Sequence, residues 1–183
     1  MSAVTLYHLV SSSLLAGAAV SLLPIPAMRP VALVAAAVAS LTLAPAMSGL
    51  IGAPSFTLTQ LALLQIFAPA KIPNDRAAAL VLVIVAAIFY PLALGLSAFD
   101  PFDIGYHPLP LLIAAAVLGL GLAARRKAGL MAILGFDLIA YACGIFDNLW
   151  SALFDPILVM LAIVVLVRAA ILRYSGRTEP KPC

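Results

Sequence analysis

The sequence predicts an all-α fold, a polytopic bundle of transmembrane helices, and three observations support this class. First, 65% of the 183 residues are hydrophobic and 9% are charged, against about 45–50% and about 25% in soluble domains. Second, ten Lys and Arg with seven Asp and Glu cannot cover the surface of an 18.9 kDa globule, so most of that surface is expected to face lipid. Third, long apolar segments follow one another along the whole chain.

A transmembrane helix requires about 20 mostly apolar residues, and about 17 are tolerated. Six segments meet or approach this length: Thr5 to Leu23, Pro30 to Met47, Ala77 to Ser97, Pro110 to Ala124, Gly129 to Phe146 and Pro156 to Arg173. A seventh segment, Ser55 to Ala70, is shorter and carries Gln60 and Gln65. It either crosses the membrane, which gives seven spans, or forms a re-entrant or interfacial segment beside six spans.

Local signals refine these elements in chain order. The first span has no Lys or Arg before it, so a cleaved signal peptide is not expected. Pro91 removes one backbone hydrogen bond and predicts a kink towards the outer end of its helix. The pairs Asp100-Pro101 and Asp155-Pro156 predict helix starts, because Asp can cap free amides and Pro suits the first turn. Loops of 4 to 12 residues predict a single domain over residues 1–183, with a tail at 174–183.

The distribution of basic residues predicts the topology, because Lys and Arg in short loops mark the cytoplasmic side. With seven spans, the basic residues of the loops and tail share one side: Arg29, Lys71, Arg76, Arg125, Arg126, Lys127, Arg173, Arg177 and Lys181. The opposite side then carries no Lys or Arg. This favours seven spans in a cell inner membrane, with the N-terminus outside and the C-terminus in the cytoplasm. Without a spanning Ser55 to Ala70 segment, Arg29 would lie outside.

One acid lies deep inside a predicted span. Asp137 is the ninth of the eighteen residues in Gly129 to Phe146, and a charged carboxylate at the bilayer centre costs at least about 2.5–3.5 kcal/mol. Asp137, Tyr141, Gly144 and Asn148 follow at helical spacing and predict an intramembrane polar stripe that runs to the outer side. The stripe is either a path for protons or cations, or it is a structural contact between helices.

Acidic residues and one histidine gather in the predicted outer loops. The residues of this predicted outer-face acidic pocket are Asp100, Asp103, His107, Asp147 and Asp155. Asp103 and His107 offer the oxygen and nitrogen donors that bind divalent metals. The pair therefore predicts a divalent-metal site, although such a site normally needs three or four donors. The alternative for Asp100 and Asp155 is helix capping.

Several functions are excluded by what the sequence lacks. No stretch is basic or long enough for nucleic-acid binding, and two cysteines cannot build a disulfide scaffold. A retinal Schiff base needs a lysine inside a span, and the predicted spans contain none. Glycine-rich phosphate loops and the His-Glu-x-x-His motif are absent. Catalytic residues therefore cannot be named, and no organic cofactor is predicted.

Three function classes remain. The first is a non-catalytic subunit or assembly partner in a membrane complex, favoured by short loops and by abundant small residues that allow close helix packing; its partners would be the lipid bilayer and a membrane protein or further copies of the chain. The second is a proton- or cation-linked transporter or channel that uses Asp137 and the outer acids. The third is a metal-dependent membrane enzyme on the outer face, built on Asp103, His107 and the nearby carboxylates.

Overall fold

The computed structural model describes residues 3–22, 30, 33, 34, 37, 38, 53–69, 72, 73, 75–96 and 98–175. Within these ranges the chain is helical and contains no strand, which confirms the all-α class. The predicted span from Pro30 to Met47 lies almost entirely outside the described residues. The predicted tail also lies outside them beyond residue 175.

Eight α-helices are described: α1 (Ala3–Ser21), α2 (Phe56–Phe67), α3 (Arg76–Pro91), α4 (Pro101–Tyr106), α5 (Leu109–Ala124), α6 (Ala128–Ala142), α7 (Leu149–Leu153) and α8 (Pro156–Ser175). Six of them correspond to predicted spans. The short helices α4 and α7 lie in segments that were predicted as loops. Pro101 and Pro156 begin α4 and α8, as the two Asp-Pro pairs predict.

Among the residues that the structure describes, three helical segments are long and apolar enough to cross a membrane: Val4–Ser21, Arg76–Leu96 and Pro156–Tyr174. Their length and composition indicate a membrane protein. The helices α2, α5 and α6 contain 12, 16 and 15 residues. At about 1.5 Å per residue they extend about 18–24 Å, which is less than the hydrocarbon core of about 30 Å. The structure therefore supports three candidate spans, and the count of seven is not confirmed.

The chain divides into two units. The first unit contains Met1–Pro73 and Phe102–Asp155, and the second contains Asn74–Pro101 and Pro156–Cys183. Within the first unit, α2 packs against α1, α6 and α7, and α5 packs against α6. The second unit is built from α3 and α8, which pack along each other. The prediction of a single domain over residues 1–183 stays a prediction.

The regular part of α3 ends where the sequence predicts a kink. Pro91 is the last residue of α3, and a π-helical turn over Leu92–Leu96 follows it. Gly95 in that turn has φ 87°, a left-handed conformation that glycine adopts without a Cβ clash. The missing amide of Pro91 and the freedom of Gly95 together break the helix.

The helix α6 ends earlier than its predicted span. Its last residue is Ala142, and Gly144 follows with φ 72°. The amide of Gly144 donates to Tyr141 O at 2.9 Å, and the amide of Ile145 donates to Ala140 O at 3.2 Å. These two bonds form a Schellman motif, which turns the chain out of the helix. The predicted span to Phe146 is therefore four residues too long.

The core of the first unit lies where this turn meets α5 and α7. It contains Leu111, Ala140, Phe146, Leu149 and Ala152. Three aromatic rings extend the core towards α1 and α2. Tyr7 stacks on Phe56 with ring centroids 6.0 Å apart, and it meets Phe146 edge-on at 5.0 Å. This packing holds the hydroxyl group of Tyr7 beside the first turn of α2.

Candidate functional site

The first half of α2 and the residue before it carry polar side chains that are held inside the first unit. Ser55 caps the helix, because its side-chain oxygen accepts a hydrogen bond from the Leu58 amide at 3.2 Å. The side chains that meet around this segment form a polar cluster, called here the buried polar cluster because four of its seven members are buried and the other three are half-buried. Its members are Tyr7, Ser55, Thr57, Thr59, Gln60, Asp137 and Asp155.

Asp137 is the centre of this buried polar cluster. Its side chain is 1% exposed, and it lies on α6, facing α2. Thr57 Oγ1 lies 2.6 Å from Asp137 Oδ2, and Gln60 Nε2 donates to Asp137 Oδ1 at 2.8 Å. Thr57 and Gln60 are three residues apart, so they share one face of α2. Both carboxyl oxygens are thus engaged by neutral side chains of a single helix.

The hydroxyl group of Thr57 contacts two oxygen atoms at hydrogen-bond distance. Its hydroxyl oxygen is 2.6 Å from Asp137 Oδ2 and 2.8 Å from the backbone oxygen of Leu153. A hydroxyl group holds one hydrogen, and a backbone carbonyl can only accept. Both contacts are satisfied together when Asp137 Oδ2 carries a hydrogen and donates it to Thr57, while Thr57 donates to Leu153. The arrangement therefore suits a protonated, uncharged Asp137.

Gln60 extends the connection to the backbone of α6. Its side-chain nitrogen donates to Asp137 Oδ1 and, at 3.1 Å, to the backbone oxygen of Ile133. An amide nitrogen carries two hydrogens, so both bonds form at once. The carbonyl of Ile133 lies one turn before Asp137. A single side chain of α2 thus holds one full turn of α6.

A second set of hydrogen bonds joins α1, α2 and the end of the first unit. The Tyr7 hydroxyl donates to Pro54 O at 2.8 Å and lies 2.9 Å from Thr59 Oγ1. The backbone amide of Ser55 donates to Asp155 Oδ2 at 2.6 Å. Asp155 is 8% exposed and is the last residue of the first unit. It was predicted to lie in an outer pocket, and its carboxylate instead binds the residue that caps α2.

The predicted stripe of Asp137, Tyr141 and Asn148 is not continuous. Asp137 and Tyr141 lie on α6, but the turn at Gly144 ends the helical register before Asn148. Asn148 is 4% exposed and caps α7, where its Oδ1 accepts from the Trp150 amide at 2.9 Å. Its Nδ2 donates to the Phe102 carbonyl at 3.0 Å. Asn148 therefore ties α7 to α4 and does not extend a path from Asp137.

The other residues of the predicted outer acidic pocket are exposed. They are Asp100, Asp103, His107 and Asp147. Asp103 lies in α4 and His107 directly follows this helix, where the His107 amide donates to the Asp103 carbonyl at 3.1 Å. Within the described ranges, no three His, Cys, Asp or Glu side chains lie close enough together to hold a metal ion. Metal binding by Asp103 and His107 stays a prediction.

No family model, curated protein or solved structure matches the chain. The chemistry of the site therefore has to be inferred from its own residues. The described contacts of Asp137 are hydrogen bonds with Thr57 and Gln60, and they join α2 to α6.

The sequence pattern indicates Asp137 but not its partners. Gln60 was noted as a polar residue that weakens the spanning character of its segment, and Thr57, Thr59, Ser55 and Tyr7 were not assigned to a site. The signal was present in the run Ser55-Phe-Thr-Leu-Thr-Gln60. It places polar groups on two adjacent faces of a helix whose other residues are apolar. In lipid, such groups need partners on neighbouring helices.

Proposed function

We propose that the protein is a small integral membrane protein that acts as a non-catalytic subunit or assembly partner in a membrane complex. The observation that carries this proposal is the engagement of Asp137. The acid that lies deepest in a predicted span is 1% exposed and hydrogen-bonded to two side chains of α2. Its carboxyl group links two helices of the chain, which is the role of a structural contact.

The outward faces of the helices support the same proposal. On α5, large apolar side chains are more than half exposed: Leu109, Ile113, Val117 and Leu120. Such faces require lipid or the helices of another membrane protein to cover them. A scaffold whose polar groups bind each other and whose outer faces are apolar is suited to association within the bilayer.

We further propose seven spans in a cell inner membrane, with the N-terminus outside and the C-terminus in the cytoplasm. Arg76 begins α3 and Arg173 lies in the last turn of α8, and both line one cavity of the second unit. The basic ends of these two helices therefore lie together, as the topology requires. Ser55 to Ala70 would be the third span, with α2 at its centre.

Purification from native membranes tests the proposed function. The full chain, tagged at its C-terminus, is extracted in a mild detergent and its mass and composition are measured by size-exclusion chromatography with light scattering. We expect a partner protein, or further copies of the chain, in a fixed ratio. An unrelated multi-pass protein with the same tag is the control. A lone monomer that is extracted from membranes containing all native proteins would contradict the proposal.

A second candidate function is proton- or cation-linked transport. The observation that favours it is the short contact between Asp137 and Thr57, which suits a carboxyl group that holds a proton inside an apolar helix. The test compares the unmutated chain and Asp137→Asn in reconstituted vesicles under an imposed pH gradient. A pH-dependent flux that Asn abolishes, with the fold retained, supports transport. Equal flux in both proteins, or none in the unmutated chain, contradicts it.

A further inference from the structure

The second unit contains a cavity of about 560 Å³ between α3 and α8. Its lining residues come from the start of α3 and from the end of α8: Arg76, Ala77, Leu80, Leu166, Ala169, Ala170, Arg173 and Tyr174. Both helices are candidate membrane spans. Because the first residue of α3 and the last turn of α8 line the same cavity, the two helices run antiparallel and the cavity lies at one end of the pair.

Two positive charges lie in this cavity. Arg76 and Arg173 are both exposed, and neither has an ion-pair partner in the part of the chain that the structure describes. The nearest acid along the chain, Asp75, is not among the lining residues, and its carboxylate accepts from the amides of Ala77 and Ala78. Among its described lining residues, the cavity thus offers two guanidinium groups and no anion.

The position of Arg76 also points to an anion from outside the chain. A cation at a helix N-terminus is disfavoured by the helix dipole, whereas Arg173 at a C-terminus is favoured. Arg76 begins α3 and therefore gains nothing from the helix that carries it. An anion placed between the two arginines would offset this cost.

The rest of the cavity is apolar and extends along the helices. Leu80 lies one turn into α3 from Arg76, and Leu166 lies two turns into α8 from Arg173. Tyr174 is 76% exposed beside the arginines, at the position where aromatic residues anchor a helix at the membrane interface. The cavity therefore has a cationic end beside Tyr174 and an apolar end further along the two helices.

We propose that this cavity binds an anionic phospholipid. The lipid phosphate would lie between Arg76 and Arg173, whose planar guanidinium groups bind phosphate oxygens in pairs. One acyl chain would lie along Leu80 and Leu166. Basic pockets between helices at the cytoplasmic side of a membrane are suited to anionic headgroups, and the apolar walls distinguish a lipid from a free phosphate.

The test measures lipid binding to the delipidated full chain by native mass spectrometry. Phosphatidylglycerol and phosphatidylcholine of the same chain length are titrated separately. We expect the chain to prefer phosphatidylglycerol. An arginine near the membrane surface contributes about a fivefold gain in affinity for anionic lipid, so Arg76→Gln and Arg173→Gln should each lower the affinity about fivefold. The double variant should bind both lipids nearly equally.

Arg168→Gln is the matched control. Arg168 is exposed on the same helix but does not line the cavity, and its position five residues before Arg173 places it on the opposite face of α8. This variant removes the same charge and should retain the lipid preference. A loss as large as that of Arg173→Gln would overturn the proposal, because the preference would then reflect net charge alone.

Two further measurements test the lipid site: one variant of its apolar wall, and competition with inorganic phosphate. If a glutamine variant does not fold, Ala170→Leu fills the apolar wall and leaves both charges, and it should still lower phosphatidylglycerol affinity. Unchanged affinity in this variant would overturn the proposal. Inorganic phosphate is added as a competitor. Displacement of the lipid by millimolar phosphate would identify a free-phosphate site and would also overturn it.

Discussion

Thr57 and Asp137 are separated by 80 residues in sequence, and their side-chain oxygens lie 2.6 Å apart. The same threonine oxygen lies 2.8 Å from the carbonyl of Leu153, which directly precedes the last two residues of the first unit. One hydroxyl group therefore connects three parts of the chain. The helix α2 lies in the segment whose membrane crossing the sequence leaves open. Its polar side chains join α2 to α6 and to α7.

Asparagine should replace Asp137 with little effect on stability. The Asn oxygen can accept from Gln60, and its nitrogen can donate to Thr57, so each described bond is kept. Asp137→Leu removes both bonds and should lower the free energy of unfolding by about 0.6 kcal/mol, and at most by about 1.7 kcal/mol. Thermal unfolding of the two variants in detergent measures this difference. Equal destabilisation by Asn and Leu would show that the carboxyl group itself is required.

The hydrogen count at Thr57 predicts that Asp137 is protonated at neutral pH. The infrared spectrum of the purified chain should then contain a carboxylic-acid C=O band, which Asp137→Asn should remove. Asp147→Asn is the control, because Asp147 is exposed to solvent and lies outside the buried polar cluster. Absence of the band in the unmutated chain at neutral pH would contradict the assignment, as would its loss in the Asp147 variant.

Replacing glycine with alanine should have different effects on stability at two positions. A Cβ at Gly105 would overlap Asn148 Oδ1 and would lie 2.7 Å from Trp150 Cδ1. Gly105→Ala should therefore displace the cap of α7 and cost about 1–3 kcal/mol. Gly121 lies inside α5 with no described atom within 4 Å of its added Cβ, so Gly121→Ala should be neutral or stabilise the helix by up to about 1 kcal/mol. Unfolding midpoints of the two variants, compared in the same detergent, measure both effects.

Reporter fusions test the topology. A fusion after Cys183 should report a cytoplasmic position, and a fusion at Phe56 should report an outer position, because the proposed outer loops lack Lys and Arg. A fusion in the basic loop at Arg126 serves as an internal cytoplasmic reference. A cytoplasmic reading at Phe56 would eliminate the seven-span topology and favour a re-entrant or interfacial α2.

The metal prediction is tested by elemental analysis of protein purified without chelator. If the outer loop holds a divalent metal, Asp103→Ala and His107→Ala should each abolish stoichiometric metal, since so few ligands cannot tolerate the loss of one. Protein without bound metal would remove the basis of the enzyme hypothesis.

Apolar segments and helix-stop residues predicted the helices well, because their signals are local. The ends of α1, α3 and α5 lie within a few residues of expectation, apart from the turn that Pro91 starts in α3. The sequence did not predict that α6 ends at Ala142, two residues before Gly144. A glycine inside an apolar run gives no sign that it takes a left-handed conformation. The partners of Asp137 were also missed. Which residue on α2 meets a carboxyl group on α6 depends on helix rotation and packing, and a single sequence does not specify them.

The bonds from α2 to Asp137 and Asp155 also set an order of events during biosynthesis. Ribosomes add about 5–20 residues per second, so the 80 residues between Thr57 and Asp137 separate the two partners by about 4–16 s. The carboxylate that the Ser55 amide binds follows 100 residues after Ser55. Throughout this interval, α2 carries polar groups whose partners have not yet been made. The insertion machinery, or water at the membrane surface, must therefore supply hydrogen-bond partners for the polar groups of α2 until α6 has been synthesised.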